Sequence, residues 1–217
     1  MNEDTSIIDA IDPDIQSRLL SRQDILFGAA KKLGAAATAP AVLAVASQDA
    51  LGQGLPGSVA DVLNFALTLE YLEAEFYAIA LSTPGLIPGR YRAVFSQIGI
   101  HEKEHVATLL GALGPAAAGK PRFDFTGKGT YPDVFSNFNT FAAVSNTFED
   151  LGVAAYKGQA PNLMGTPALS TALRIHSVEA RHAAEVRRVR GLLGFDGPLD
   201  YPKNRIEVLL AAAPFLA

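Results

Sequence analysis

One spacing occurs twice in this 217-residue chain. Glu70 is followed seven residues later by Tyr77 and thirty-two residues later by Glu102-Lys103-Glu104-His105. Glu149 is followed seven residues later by Tyr156 and thirty residues later by Glu179-Ala180-Arg181-His182. A lone Glu-x-x-His arises often by chance. Two of them, each preceded by a glutamate at a matching distance, do not. Residues at i and i+3 share a helix face, so each pair can present its carboxylate and imidazole to one point. Seven residues is about two helical turns, so each tyrosine lies on the face of its glutamate.

The neighbours of these residues are apolar at helical spacing. Glu70 sits among Leu63, Ala66, Leu67, Ala74, Tyr77 and Leu81, and Glu102 and His105 lie between Phe95, Ile98, Leu109 and Leu113. Glu149 lies between Ser145 and Val153, and Glu179 and His182 lie between Ile175 and Val186. The periodicity predicts four long helices, over residues 58–82, 90–113, 137–157 and 167–193. Thr83-Pro84-Gly85, Gly114-Pro115, Gly158 and Gly194 mark their ends. The connection over 114–135, rich in Gly, Pro and Lys, is too long for a tight antiparallel turn and fits a crossover between helices two and three. The expected fold is therefore all-α, a four-helix bundle over residues 55–197. An extension over 1–54 precedes it, and a tail over 198–217 carries a short apolar helix near Ile206–Leu210.

A carboxylate on a core-facing stripe is costly without a partner, and four facing one another repel. No lysine or arginine occupies these stripes near the glutamates. Two divalent cations would cancel four carboxylate charges, with two neutral histidines adding donor nitrogens. The candidate metal ligands are therefore Glu70, Glu102, His105, Glu149, Glu179 and His182. Tyr77 and Tyr156 are candidates to hydrogen-bond a ligand on a facing helix, because a buried phenol usually finds a partner. His176, one turn before Glu179, is a candidate partner to a ligand. Glu73, Glu75 and Glu104 are expected to be solvated or to lie just behind the ligands, and His101, about 100° round the helix from Glu102, to be a surface residue.

The pattern resembles the ferritin-like di-metal carboxylate proteins, in which single glutamates from two helices join Glu-x-x-His pairs from two others. The stretches Leu63-Asn64-Phe65-Ala66-Leu67-Thr68-Leu69-Glu70-Tyr71-Leu72-Glu73-Ala74-Glu75-Phe76-Tyr77 and Phe148-Glu149-Asp150-Leu151-Gly152-Val153 look closer to one branch, the bacterial and plant proteins that include the desiccation-related ones. The resemblance covers roughly residues 57–195 and fills all six ligand positions. It implies that Glu102 and Glu179 bridge two ions or chelate one each, with Glu70 and Glu149 terminal. Mixed carboxylate and imidazole donors suit two iron ions, or manganese in their place, with zinc, which usually prefers fewer, tetrahedral ligands, as a further candidate. The leading expectation is an activity that oxidises Fe(II) or consumes O2 or peroxide under stress. The alternative is a structural or assembly protein whose metal site only holds the bundle together. The expected partners are O2 or peroxide and further copies of the chain.

Composition excludes other classes. A net charge of −4 and a pI near 5.5, with no basic stripe, argue against a nucleic-acid binder. The absence of cysteine removes disulfides and thiolate sites. No run reaches the roughly 20 apolar residues of a transmembrane helix. Ser21-Arg22-Gln23-Asp24-Ile25-Leu26-Phe27, an Ala-rich stretch and Ala44-Val45-Ala46 resemble a twin-arginine export signal with Gln23 in place of one arginine and Lys31-Lys32 interrupting the apolar run. The expectation is a periplasmic or extracellular protein, with a packed helix and a cytoplasmic location as the alternative.

Overall fold

A computed structural model of the chain describes residues 57–195 and 197–217. The extension over 1–54, with its export-like segment, lies outside the described residues. Among the described residues five α-helices form: α1 (Gly57–Ser82), α2 (Gly89–Leu113), α3 (Phe138–Gln159), α4 (Pro167–Val189) and α5 (Arg205–Ala212). The described residues contain no strand, only one antiparallel bridge between Phe123 and Leu216.

The local signals explain most boundaries. The Asn137 side chain accepts from the backbone N–H of Asn139 at 3.0 Å and starts α3. Thr166 in extended conformation and Pro167 at the first position start α4. Asn204 and Glu207 close a reciprocal capping box at α5. The fourth helix ends earlier than its apolar spacing suggests, at Val189 and not at Leu193. The cause is Gly191, whose φ of 76° turns the chain three residues before Gly194.

Two cores fill the bundle. One is aromatic, built from Phe76, Tyr77, Phe95, Phe141 and Phe148 with Phe125 and Phe215. Phe76 has five aromatic neighbours with ring centroids 5.0–5.6 Å away. Each such pair contributes about 0.5–1.5 kcal/mol beyond its burial. The other core is mainly aliphatic, with Leu63, Leu67, Leu109, Leu163 and Ile175 around Tyr156. Along α1 and α4 the chain passes from the aliphatic to the aromatic core, and along α2 and α3 it passes the other way. Thus α2 and α3 run parallel, which is why a long crossover must join them. All six candidate ligands lie between the two cores in sequence on their helices, so they form one polar layer across the bundle.

The crossover and the tail serve as a cover. Phe123, Phe125, Tyr131, Val134 and Phe135 pack on the aromatic core. The backbone N–H of Asp124 donates to Phe215 O at 2.8 Å, and Ala217 N–H donates to Arg122 O at 3.0 Å, which pins the C-terminus against the crossover. Helix α5 docks Val208 and Ala212 on Phe65, Leu69, Leu151 and Ala155. Because of this cover α1 buries more than one stripe. Phe65, Leu69, Leu72 and Phe76 are buried off the expected face, whereas Ala74 and Leu81 are only partly buried. Among the described residues, no helix is long and apolar enough to cross a membrane.

Candidate metal centre

The bundle brings all six candidate ligands together. Glu70, Glu102, His105 and Glu179 each offer one donor atom, and these four atoms lie within 4.8 Å of one another. Glu102, Glu149, Glu179 and His182 form a second such set. The sets share Glu102 and Glu179. Glu70 and His105 belong to one alone, Glu149 and His182 to the other. All six residues are buried, the four glutamates with no exposure.

The geometry is that of groups converging on common points. His105 Nδ1 lies 3.1 Å from both Glu70 Oε2 and Glu102 Oε2, and 2.9 Å from Glu179 Oε1. His182 Nδ1 lies 2.8 Å from Glu102 Oε1 and 3.2 Å from Glu149 Oε2. Neither His182 contact has hydrogen-bond geometry: His182 Nδ1, Glu102 Oε1, Glu149 Oε2 and both Glu179 oxygens are buried without a hydrogen-bond partner. Buried polar atoms without partners are rare because each forfeits its hydration. Here several face one another, and no lysine or arginine among the described residues pairs with any of them. A pair of metal cations would satisfy this donor set. The two histidines and four carboxylates would hold them, Glu102 and Glu179 in common.

The tyrosines link the halves crosswise. The Tyr77 hydroxyl of α1 donates to Glu149 Oε1 of α3, and the Tyr156 hydroxyl of α3 donates to Glu70 Oε1 of α1 at 2.5 Å. Each phenol therefore orients the other half's single glutamate. Burial and the facing carboxylate raise both phenols well above their usual pKa, so they stay protonated and donate.

The buried carboxylates and imidazoles shift one another's pKa values strongly. Burial alone would depress the His182 pKa, but Glu102 and Glu149 pull it up to about 10. His105 is raised against burial by Glu70, Glu102 and Glu179. Burial would raise Glu70, yet His105 and the Tyr156 hydroxyl hold it below the ordinary carboxylate value. Glu179 is pushed well above that value by burial and by Glu102 and Glu70, and Glu102 is raised chiefly by burial.

Two residues, His101 and His176, are placed otherwise than the sequence suggests, Glu73 takes the second of its two expected places, and Gly152 carried no expectation. Glu73 lies behind the candidate ligands and is not solvated. It is 2 % exposed, and its Oε2 is buried without a hydrogen-bond partner. Burial and then Glu179, Glu102, Glu149 and Glu70 raise its pKa well above the carboxylate range. The available signal was its i+3 relation to Glu70, the same relation that picks out the histidines. His101 is not a plain surface residue: its ring lies edge to edge with that of His182, nearly coplanar, with centroids 5.1 Å apart and Nδ1 2.9 Å from His182 Nε2. His176 reaches none of the ligands by hydrogen bond. It is half-buried, with Lys157 and Asp200 as its charged neighbours. Gly152 on α3 has a role no residue type announces. A Cβ there would lie 3.1 Å from Glu179 Oε2 and 3.5 Å from its Cδ, so the glycine leaves the space in which that carboxylate sits. By contrast Glu75 pairs with Lys120 at 2.6 Å near the surface and Glu104 is partly exposed, as expected.

A family model of the ferritin-like domain matches residues 58–192, more than half of the chain. The chain belongs to the ferritin-like domain family, and its buried Glu/His cluster stands where four helices meet. No curated protein matches the chain.

Proposed function

We propose that this chain holds two iron ions, or manganese in their place, and uses them to oxidise Fe(II) or to consume O2 or peroxide in stress protection. The observation that carries the reading is the sharing of Glu102 and Glu179 between two buried donor sets. Two ions held through common carboxylates act as a pair. Mixed carboxylate and imidazole donors suit iron or manganese, whereas structural zinc ordinarily closes with four tetrahedral ligands. The bound pair would supply the electrons for reducing O2 or peroxide. The chain's own residues would do the rest. Tyr77 and Tyr156 orient the terminal carboxylates Glu149 and Glu70. The two apolar cores exclude bulk water, which strengthens every charge interaction between them. The narrower kinship with desiccation-related proteins and an exported location belong to the same proposal. They rest on the stretch from Leu63 to Tyr77 and on the export-like segment around Arg22.

Stopped-flow mixing of O2 or peroxide with Fe(II)-loaded protein tests the activity. The expected result is oxidation faster than for free iron, abolished by Glu102→Ala. Equal rates for protein and free iron would overturn it. A second reading, an assembly protein with a structural metal site, is favoured by the exposed apolar residues Leu193, Phe195, Leu199, Tyr201, Ile206 and Leu210 beyond α4. An oligomer that keeps its mass and melting temperature after chelation, and is inert to O2 and peroxide, would select it.

A further inference from the structure

His101 immediately precedes the shared ligand Glu102 on α2, and its ring crosses to α4. Its Nδ1 lies 2.9 Å from His182 Nε2, and the two rings are within 13° of parallel. Its own Nε2 lies 2.8 Å from the side-chain amide of Gln97, an exposed residue one turn earlier. The other nitrogen of His182, Nδ1, faces Glu102 and Glu149.

These contacts fix where hydrogens can sit. A neutral imidazole carries one N–H, and the nitrogen that faces a cation must present its lone pair. With Nδ1 of His182 inward, the hydrogen is on Nε2, and the group there to accept it is His101 Nδ1. His101 then carries its hydrogen on Nε2 and donates it to Gln97. That requires the amide oxygen at this position, reached by a half-turn of the amide. The other half has no such chain. Val178 stands before Glu179 where His101 stands before Glu102. No described side chain forms a hydrogen bond with Nε2 of His105.

We propose that His101 is a positioning residue for His182. It accepts the Nε2 hydrogen, holds the tautomer that turns Nδ1 inward, and makes the ion of Glu102, Glu149, Glu179 and His182 the first to bind and the tighter of the two. The inference rests on the two-ion reading above. Removing such an outer partner of a metal-binding histidine ordinarily weakens metal affinity about 10–100-fold.

Titration of the full chain with Mn(II) against a competing chelator tests it. The wild type should fill in two steps. His101→Val, which installs the other half's residue, and His101→Ala should weaken the tighter step about 10–100-fold and leave the weaker step in place. His101→Asn keeps an acceptor near the position of Nδ1 and should restore most of the loss. Equal weakening of both steps, no change in either, no rescue by Asn, or a wild type that fills both positions at one affinity would overturn the proposal. A wild type that takes up no Mn(II) would instead overturn the two-ion reading.

Discussion

In the α1–α2 half, the position three residues beyond the single glutamate is Glu73; in the α3–α4 half it is Gly152. The position before the Glu-x-x-His is His101 in one half and Val178 in the other. Ligands and tyrosines repeat, whereas the residues packed behind them do not. The repeated residues build a centre that needs two similar halves, because each half supplies the tyrosine for the other's glutamate. The unrepeated ones make its two halves unequal. Gly152 vacates space for the Glu179 carboxylate, and Glu73 adds a fifth buried acid to four.

The strongest way to break this comparison is to remove what the halves have in common. Glu102→Ala or Glu179→Ala deletes a donor from both sets and should abolish binding of both ions, whereas Glu70→Ala or Glu149→Ala deletes a donor from one set and should spare the other ion. Elemental analysis of each purified variant gives the answer, and equal losses from all four would show that the sets are not separate. The next effect is on pH. The His182 pKa is about 10 in the metal-free fold against 6.5 for the free side chain. A raised value means the proton stabilises the fold fully below pH 6.5, and this is lost as pH rises towards 10. His105, Glu73 and Glu179 are shifted upward too and act in the same sense. The chelated protein should therefore melt at falling temperatures across that window. The metal-loaded protein, whose histidine protons have left, should show a much flatter profile.

The clustering of the six candidate residues was legible because two constraints coincide in them: a polar residue on an apolar stripe and a fixed i, i+3 spacing, both doubled. The crossover was legible from its length. What stayed hidden depends on a second helix. His101 points away from Glu102 on its own helix, and only the position of α4 turns it towards His182. The burial of Phe65 and Leu69 off the main stripe depends on α5, which the sequence places near the bundle but on no particular face. His176 shares a helix with Glu179 and lies near its stripe, yet its charged surroundings are Lys157 and Asp200. Glu73 was legible as one of two alternatives, solvated or just behind the ligands, and its surroundings favour the second. Its neighbours Leu72 and Phe76 are apolar, and it stands three residues from a ligand.

Gly152→Ala sharpens the contrast between stability and binding. Alanine in a helix interior is favoured over glycine by about 0.5–1 kcal/mol, so the metal-free bundle gains from the change wherever the side chain fits. Here the added Cβ meets Glu179 Oε2 at 3.1 Å, and the carboxylate must shift by a few tenths of an ångström. The expected result is a metal-free melting temperature at or above the wild type, together with metal affinity weakened roughly tenfold, the low end for a displaced ligand environment. Unchanged affinity would show that Glu179 reaches the ions from either position.

The smallest effect separates Glu73 from the ligands. Its donor atoms belong to neither four-residue set, although burial and four carboxylates raise its pKa. Glu73→Gln keeps the shape and removes the charge. Because the raised value disfavours the ionised form, the wild type pays for ionising Glu73 only where the pH is high enough to do so. The variant should thus melt with the wild type at pH 5 and above it at pH 9 when both are metal-free, and it should still bind two ions, since all six donors remain. Loss of an ion in Glu73→Gln would make Glu73 a seventh ligand, and the extra acid would then be part of the centre itself.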